Sequence, residues 1–190
     1  MARFLMEFCK FKFVRSVPFN HRLLLLLIIL FSGCQKDNAV NEDQKILFQY
    51  SYTNWAWVPN NQGLLITGDG SVLLYDNPEK WNFPDSQNEL TQAQVEENLS
   101  YCTPTRLKIP QGELQKYAKF INNFASSKVS APVSRGADMG AFSYLCFQFS
   151  KSSNNYKTVT IRVRGDWEYE NLNYFSKKTV DWLDIIRSEL

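Results

Sequence analysis

The chain has 190 residues and a formal charge of +2, from 21 basic and 19 acidic residues. Five of the basic residues (Arg3, Lys10, Lys12, Arg15 and Arg22) and one acid, Glu7, precede Cys34, so residues 34–190 carry 16 basic and 18 acidic residues, a net charge of −2. That balance does not favour a phosphate backbone and argues against a nucleic-acid partner. The lone histidine, His21, also precedes Cys34, which removes Ser-His-Asp and Cys-His catalysis in their usual forms, and His-rich zinc sites, from the rest of the chain.

The first element is the apolar run Leu23 to Phe31, nine residues behind a basic stretch and ahead of Ser32-Gly33-Cys34. A bilayer-spanning helix needs roughly 20 residues. Nine suits the apolar core of a secretory signal, which has a positive flank and small residues at its cleavage site. Translation starts at Met1 or at Met6. The segment resembles the lipobox of bacterial lipoproteins, with Phe31 where an aliphatic residue is usual and Cys34 as the lipidated residue. The resemblance implies a signal peptide over 1–33 and a membrane partner reached through lipid on Cys34. Two or more membrane signals give stable anchoring where a single acyl chain gives only marginal binding. The next residues, Gln35-Lys36-Asp37-Asn38, resemble the export signal of surface-exposed lipoproteins of Bacteroidota. That implies an outer-membrane protein facing outward; a merely polar tether implies one facing the periplasm.

Residues 34–45 read as the lipidated Cys and a polar, flexible tether, and residues 46–190 as a single α+β domain. Phe48, Tyr50 and Tyr52 alternate with polar residues at strand period, and Trp55 and Trp57 continue the pattern. Gly63–Thr67 and Ser71–Tyr75 flank Gly68-Asp69-Gly70, the chain's clearest hairpin signal. Asp76–Ser86 is irregular. Thr91 with Gln94 fits a capping box, and Leu90 with Val95 a hydrophobic staple, so a helix runs from there to about Tyr101. Pro104 prevents its extension. A second helix follows Pro110, with Leu114, Tyr117, Ala118, Ile121 and Ala125 on one stripe. Residues 126–139 read as a loop. Phe142–Ser150 and Tyr156–Arg164 form a second hairpin, and a last helix spans about Tyr174–Ser188 with Phe175, Trp182, Leu183 and Ile186 inward. The predicted architecture is an antiparallel sheet built from two hairpins and an N-terminal strand, with helices packed on one face.

Four tryptophans, Trp55, Trp57, Trp81 and Trp167, are candidate ligand-binding residues. An exposed indole face stacks on sugar rings, and neighbouring amides or carboxylates orient the hydroxyls; core packing is the competing role. Cys102 and Cys146 are a disulfide candidate in an oxidising compartment, the alternative being two separate buried thiols. Asp69, Asp76, Glu79, Asp85, Asp138, Asp166, Glu168 and Glu170 stand in or near loops, and a pair at about 5–9 Å would suit glycoside hydrolysis. No spacing of metal ligands and no cofactor motif stands out. The leading expectation is a non-catalytic binding or scaffolding domain at the envelope, with an unknown protein or glycan as partner. The alternatives are a carbohydrate-binding lipoprotein using the tryptophans and a small carboxylate-dependent hydrolase.

Overall fold

Thirteen short elements follow one another in the computed structural model, which describes residues 43–190. The signal, Cys34 and most of the tether lie outside the described residues. In chain order the elements are β1 (Ile46–Asn54), β2 (Asn60–Thr67), β3 (Ser71–Asp76), β4 (Glu89–Thr91), α1 (Gln92–Ser100), β5 (Thr103–Lys108), α2 (Gln111–Ala118), α3 (Ile121–Ser126), β6 (Val133–Ser134), β7 (Ala141–Ser150), β8 (Asn155–Gly165), β9 (Trp167–Glu170) and α4 (Ser176–Ser188). The strands make a nine-stranded sheet in the order β5-β3-β2-β1-β7-β8-β9-β6, with β4 also on β8. The pairings are antiparallel. The fold is α+β. Among the described residues no helix is long and apolar enough to cross a membrane.

Period-two alternation sends each strand's residues to two different cores. Leu64, Ile66, Cys146, Val159 and Ile161 join the larger core, beneath α2, α3 and α4. Leu65, Tyr75, Phe147 and Tyr156 point the other way and join a smaller core with Leu90 and Val95. A register shift between Ile46 and Phe48 lets Ile46 serve the smaller core and both Leu47 and Phe48 the larger. Three helices therefore share one face as expected, while α1 covers part of the other. The reason is its staple, because Leu90 and Val95 both bury against the sheet's second side.

The hairpins and the capped helix stand where the periodicity places them, and Thr91 and Gln94 form the full capping box. The predicted second helix is two. The backbone leaves the helix at Lys119 and Phe120, and Phe120 turns to stack on Phe175 with ring centroids 3.9 Å apart. In α4, Trp182 is core. Its ring lies 4.1 Å from that of Tyr117, and its indole N–H donates to the Glu113 carboxylate at 2.7 Å.

Candidate functional site

β1 runs away from the point where the chain enters the domain and stops at Asn54. Thr53 pairs with Ala141 at the start of β7, and Ala141 pairs with Gly165 at the end of β8. The turn after β1, the loop before β7 and the β8–β9 connection therefore share one end of the sheet. Trp55 and Trp57 do not continue the strand. The Asn54 side-chain Oδ1 accepts the Ala56 N–H at 2.9 Å, a local turn that competes with the ladder and lifts both indoles off it. Trp55 is 60% exposed and Trp57 81%.

Trp55 stands between two hollows. The first, of about 230 Å³, lies over the smaller core and is also lined by Trp81, Phe83, Gln49, Asn61 and Asn98. The segment carrying Trp81 and Phe83 is irregular and is held by α1. Asn98 accepts the Asn82 N–H at 2.8 Å and donates to the Asn82 carbonyl at 2.9 Å. Trp81 stacks on Tyr75 at 4.1 Å, and Phe83 meets Trp55 edge to face at 5.9 Å. Gln49 donates to the Tyr75 hydroxyl at 2.7 Å, and burial pushes the Tyr75 phenol well above its usual range. Asn61 is only 6% exposed, and its side-chain Oδ1 has no hydrogen-bond partner among the described residues.

The second hollow is an open groove of about 670 Å³, lined by Trp55, Trp167, Tyr169, Asn54, Asp166 and Gly140 among others. Both volumes are of small-ligand scale, the groove within and the first hollow just below the roughly 300–1,000 Å³ typical of binding sites. Gly140 has φ of +73°, and a Cβ there would meet the Thr53 carbonyl, so the floor of the groove needs glycine. The Asp166 carboxylate accepts the Met139 N–H at 2.9 Å and fixes the loop before β7. Trp167 opens strand β9. Ion pairs hold β9: Glu168 takes the guanidinium of Arg162 on the neighbouring strand at 2.7 Å and that of the more distant Arg135 at 2.8 Å. These hydrogen bonds keep the Glu168 carboxyl below its ordinary range.

Cys102 and Cys146 are both free thiols. Cys146 is fully buried in the larger core, and Cys102 packs against the smaller one, on the other side of the sheet. The sheet itself separates the candidate disulfide pair. Burial raises both thiols, Cys102 to about 11, which suppresses thiolate chemistry.

The carboxylates are dispersed among structural partners. Asp69 is held by the hydroxyls of Thr67 and Ser71 and by Lys108 in its hairpin turn. Asp85 accepts the N–H groups of Gln87 and Glu89, and Glu170 faces Arg162. Among the described residues the first hollow is lined by no carboxylate and the groove by Asp166 alone; a third hollow, beside Arg187, has Asp76. Among the described residues no three Cys, Asp or Glu side chains come together as a metal site.

Trp55, Trp81 and Trp167 thus meet around two adjoining hollows, with Trp57 beside them in the turn but lining neither. Sequence reasoning missed Phe83, Tyr169, Asn61 and Gly140. The alternation of Trp167 and Tyr169 with Glu168 and Glu170 carried a strand signal, and Gly140 directly before an apolar run carried a turn signal. No protein-family model matches this chain, and comparison with the curated proteins and with the solved structures gives no match.

Proposed function

We propose that this chain is a lipid-anchored protein of the outer membrane whose folded domain is a non-catalytic binding module, with the tryptophan end of its sheet as the binding face. The run Leu23 to Phe31 followed by Ser32-Gly33-Cys34 supports the anchor, and Gln35-Lys36-Asp37-Asn38 supports an outward orientation. The observation that carries the binding reading is the convergence of Trp55, Trp81 and Trp167 on two hollows that share Trp55. More than half of the surface of both Trp55 and Trp167 is open to solvent. Clustered exposed aromatics mark interaction sites more than scattered ones do.

Two measurements test the two halves. Cys34→Ala is expected to lose lipid labelling and leave the membrane fraction; a variant that stays fully membrane-bound sinks the anchor. Acrylamide quenching of the full chain in detergent is expected to reach the exposed tryptophans strongly, and the same chain in whole envelopes to be shielded. Equal quenching in both settings sinks the binding face.

A further inference from the structure

The tryptophan end carries a chemical signature beyond its shape. Among the described residues the lining of the first hollow contains no charged side chain, and that of the groove contains Asp166 alone. Among them no lysine or arginine lines either space, so these linings offer no charge complementarity to a phosphate, a sulfate or a uronate. The polar lining of the first hollow is made of amides and hydroxyls, including Gln49, Asn61 and Ser143, while the Asn98 amide is spent on the Asn82 backbone and the Asn82 side-chain N–H groups on Glu97 and Asn98. Uncharged amides and hydroxyls donate and accept, as sugar hydroxyls do. One of them, the Asn61 Oδ1, is buried and without a partner among the described residues.

The aromatic part fits the same ligand. The negative face of an indole attracts the weakly positive C–H groups that line one side of a pyranose ring. Trp55 is common to both spaces, with Trp81 on one side and Trp167 on the other, so a ligand that runs from groove to hollow meets indoles in succession. That suits a chain of rings better than a single small molecule.

We infer that the ligand of this face is a neutral polysaccharide or oligosaccharide, held along Trp55 and Trp167 and oriented by the amides beside Trp55. This rests on the tryptophan end being a binding face. The test is affinity electrophoresis of the full chain in detergent through gels containing dextran, xyloglucan, mannan or polygalacturonate. Variants Trp55→Ala, Trp167→Ala and Trp57→Ala are run beside the wild type; all three side chains are more than half exposed, so their removal leaves the core intact. At least one neutral polymer is expected to retard the wild type, with binding weakened at least tenfold by Trp55→Ala and by Trp167→Ala and less than twofold by Trp57→Ala. Retardation by none of the neutral polymers, by polygalacturonate alone, or by a neutral polymer with equal force in all three variants overturns the inference. Should the neutral polymers fail while the tryptophans remain shielded in whole envelopes, the carbohydrate ligand falls and the binding face stands. Should shielding fail as well, both fall.

Discussion

Asn98 shows how much one side chain does at this site. It is 4% exposed, and both ends of its amide are spent on the backbone of Asn82. Replacing it with alanine leaves that N–H and carbonyl unpaired against α1, at a cost of about 1–3 kcal/mol. Asn98→Ala is therefore expected to lower the urea midpoint and to raise acrylamide quenching, since Trp81 rides on the segment it clamps. A lowered midpoint with unchanged quenching would mean that Asn98 supports the helix and not the hollow. Asp69 offers a pH test. Hydrogen bonds from Thr67, Ser71 and Lys108 hold its carboxyl below the usual range, the Thr67 hydroxyl contributing most. Its pKa is lower folded than unfolded, so its stabilisation is full above the unfolded value of about 3.9 and fades as pH falls below it. The side chain is largely exposed, so the effect is small. Wild type is expected to exceed Asp69→Asn in urea midpoint at pH 7, with the gap narrowing by pH 3; a gap indifferent to pH refutes this. Neither residue announced its role in the sequence equally. Asp69 sits between two glycines in a turn signal, whereas nothing local marks Asn98 as the partner of Asn82.

Elements that rest on local chemistry were legible. The capping box at Thr91 needs only residues within three positions of each other, and Thr91→Ala is expected to cost about 1 kcal/mol, read from chemical denaturation. The two hairpins likewise follow from turn residues between alternating runs. Elements that rest on distant partners were not legible. Strand β5 exists because β3 offers it an edge, and β6 because β9 does. The break between α2 and α3 depends on Phe175, far along the chain, drawing Phe120 out of the helix. The cysteines belong at this scale too, because only strand parity and the position of α1 put Cys146 and Cys102 on opposite sides. Thiol titration of the processed chain under denaturing conditions is expected to find both reactive without prior reduction. A thiol count that rises on reduction would show a bridge.

At the scale of the whole molecule, the site is a product of topology. Trp55, Trp81 and Trp167 come from a turn, an irregular segment and a short strand, and only the order β1-β7-β8-β9 brings the first and last together. The sequence displayed the tryptophans as candidates but not their meeting, since no periodicity links them. Their strand assignment misled for Trp55 and Trp57, where the Asn54 turn overrides the alternation. The two-sided core is also a global result: α1 turns what reads as a wet sheet face into a second buried cluster, and so gives the first hollow its floor of Leu65 and Phe147.

Strand β5 has a consequence for behaviour at high protein concentration. It is an outermost strand of the sheet, and an open strand edge invites pairing with another chain. Pro104 provides no N–H there, the register shifts between Ser71 and Leu73, and Arg106 and Lys108 put charge along the rim. Those three features interrupt the row of free donors and acceptors that an incoming strand would need. Copies of this domain at high concentration thus resist zipping together into fibrils. Pro104→Thr restores a donor and a β-branched side chain at the rim, and is expected to speed thioflavin-positive aggregation at high protein concentration. Aggregation no faster than wild type would assign the protection to the bulge and the charges instead.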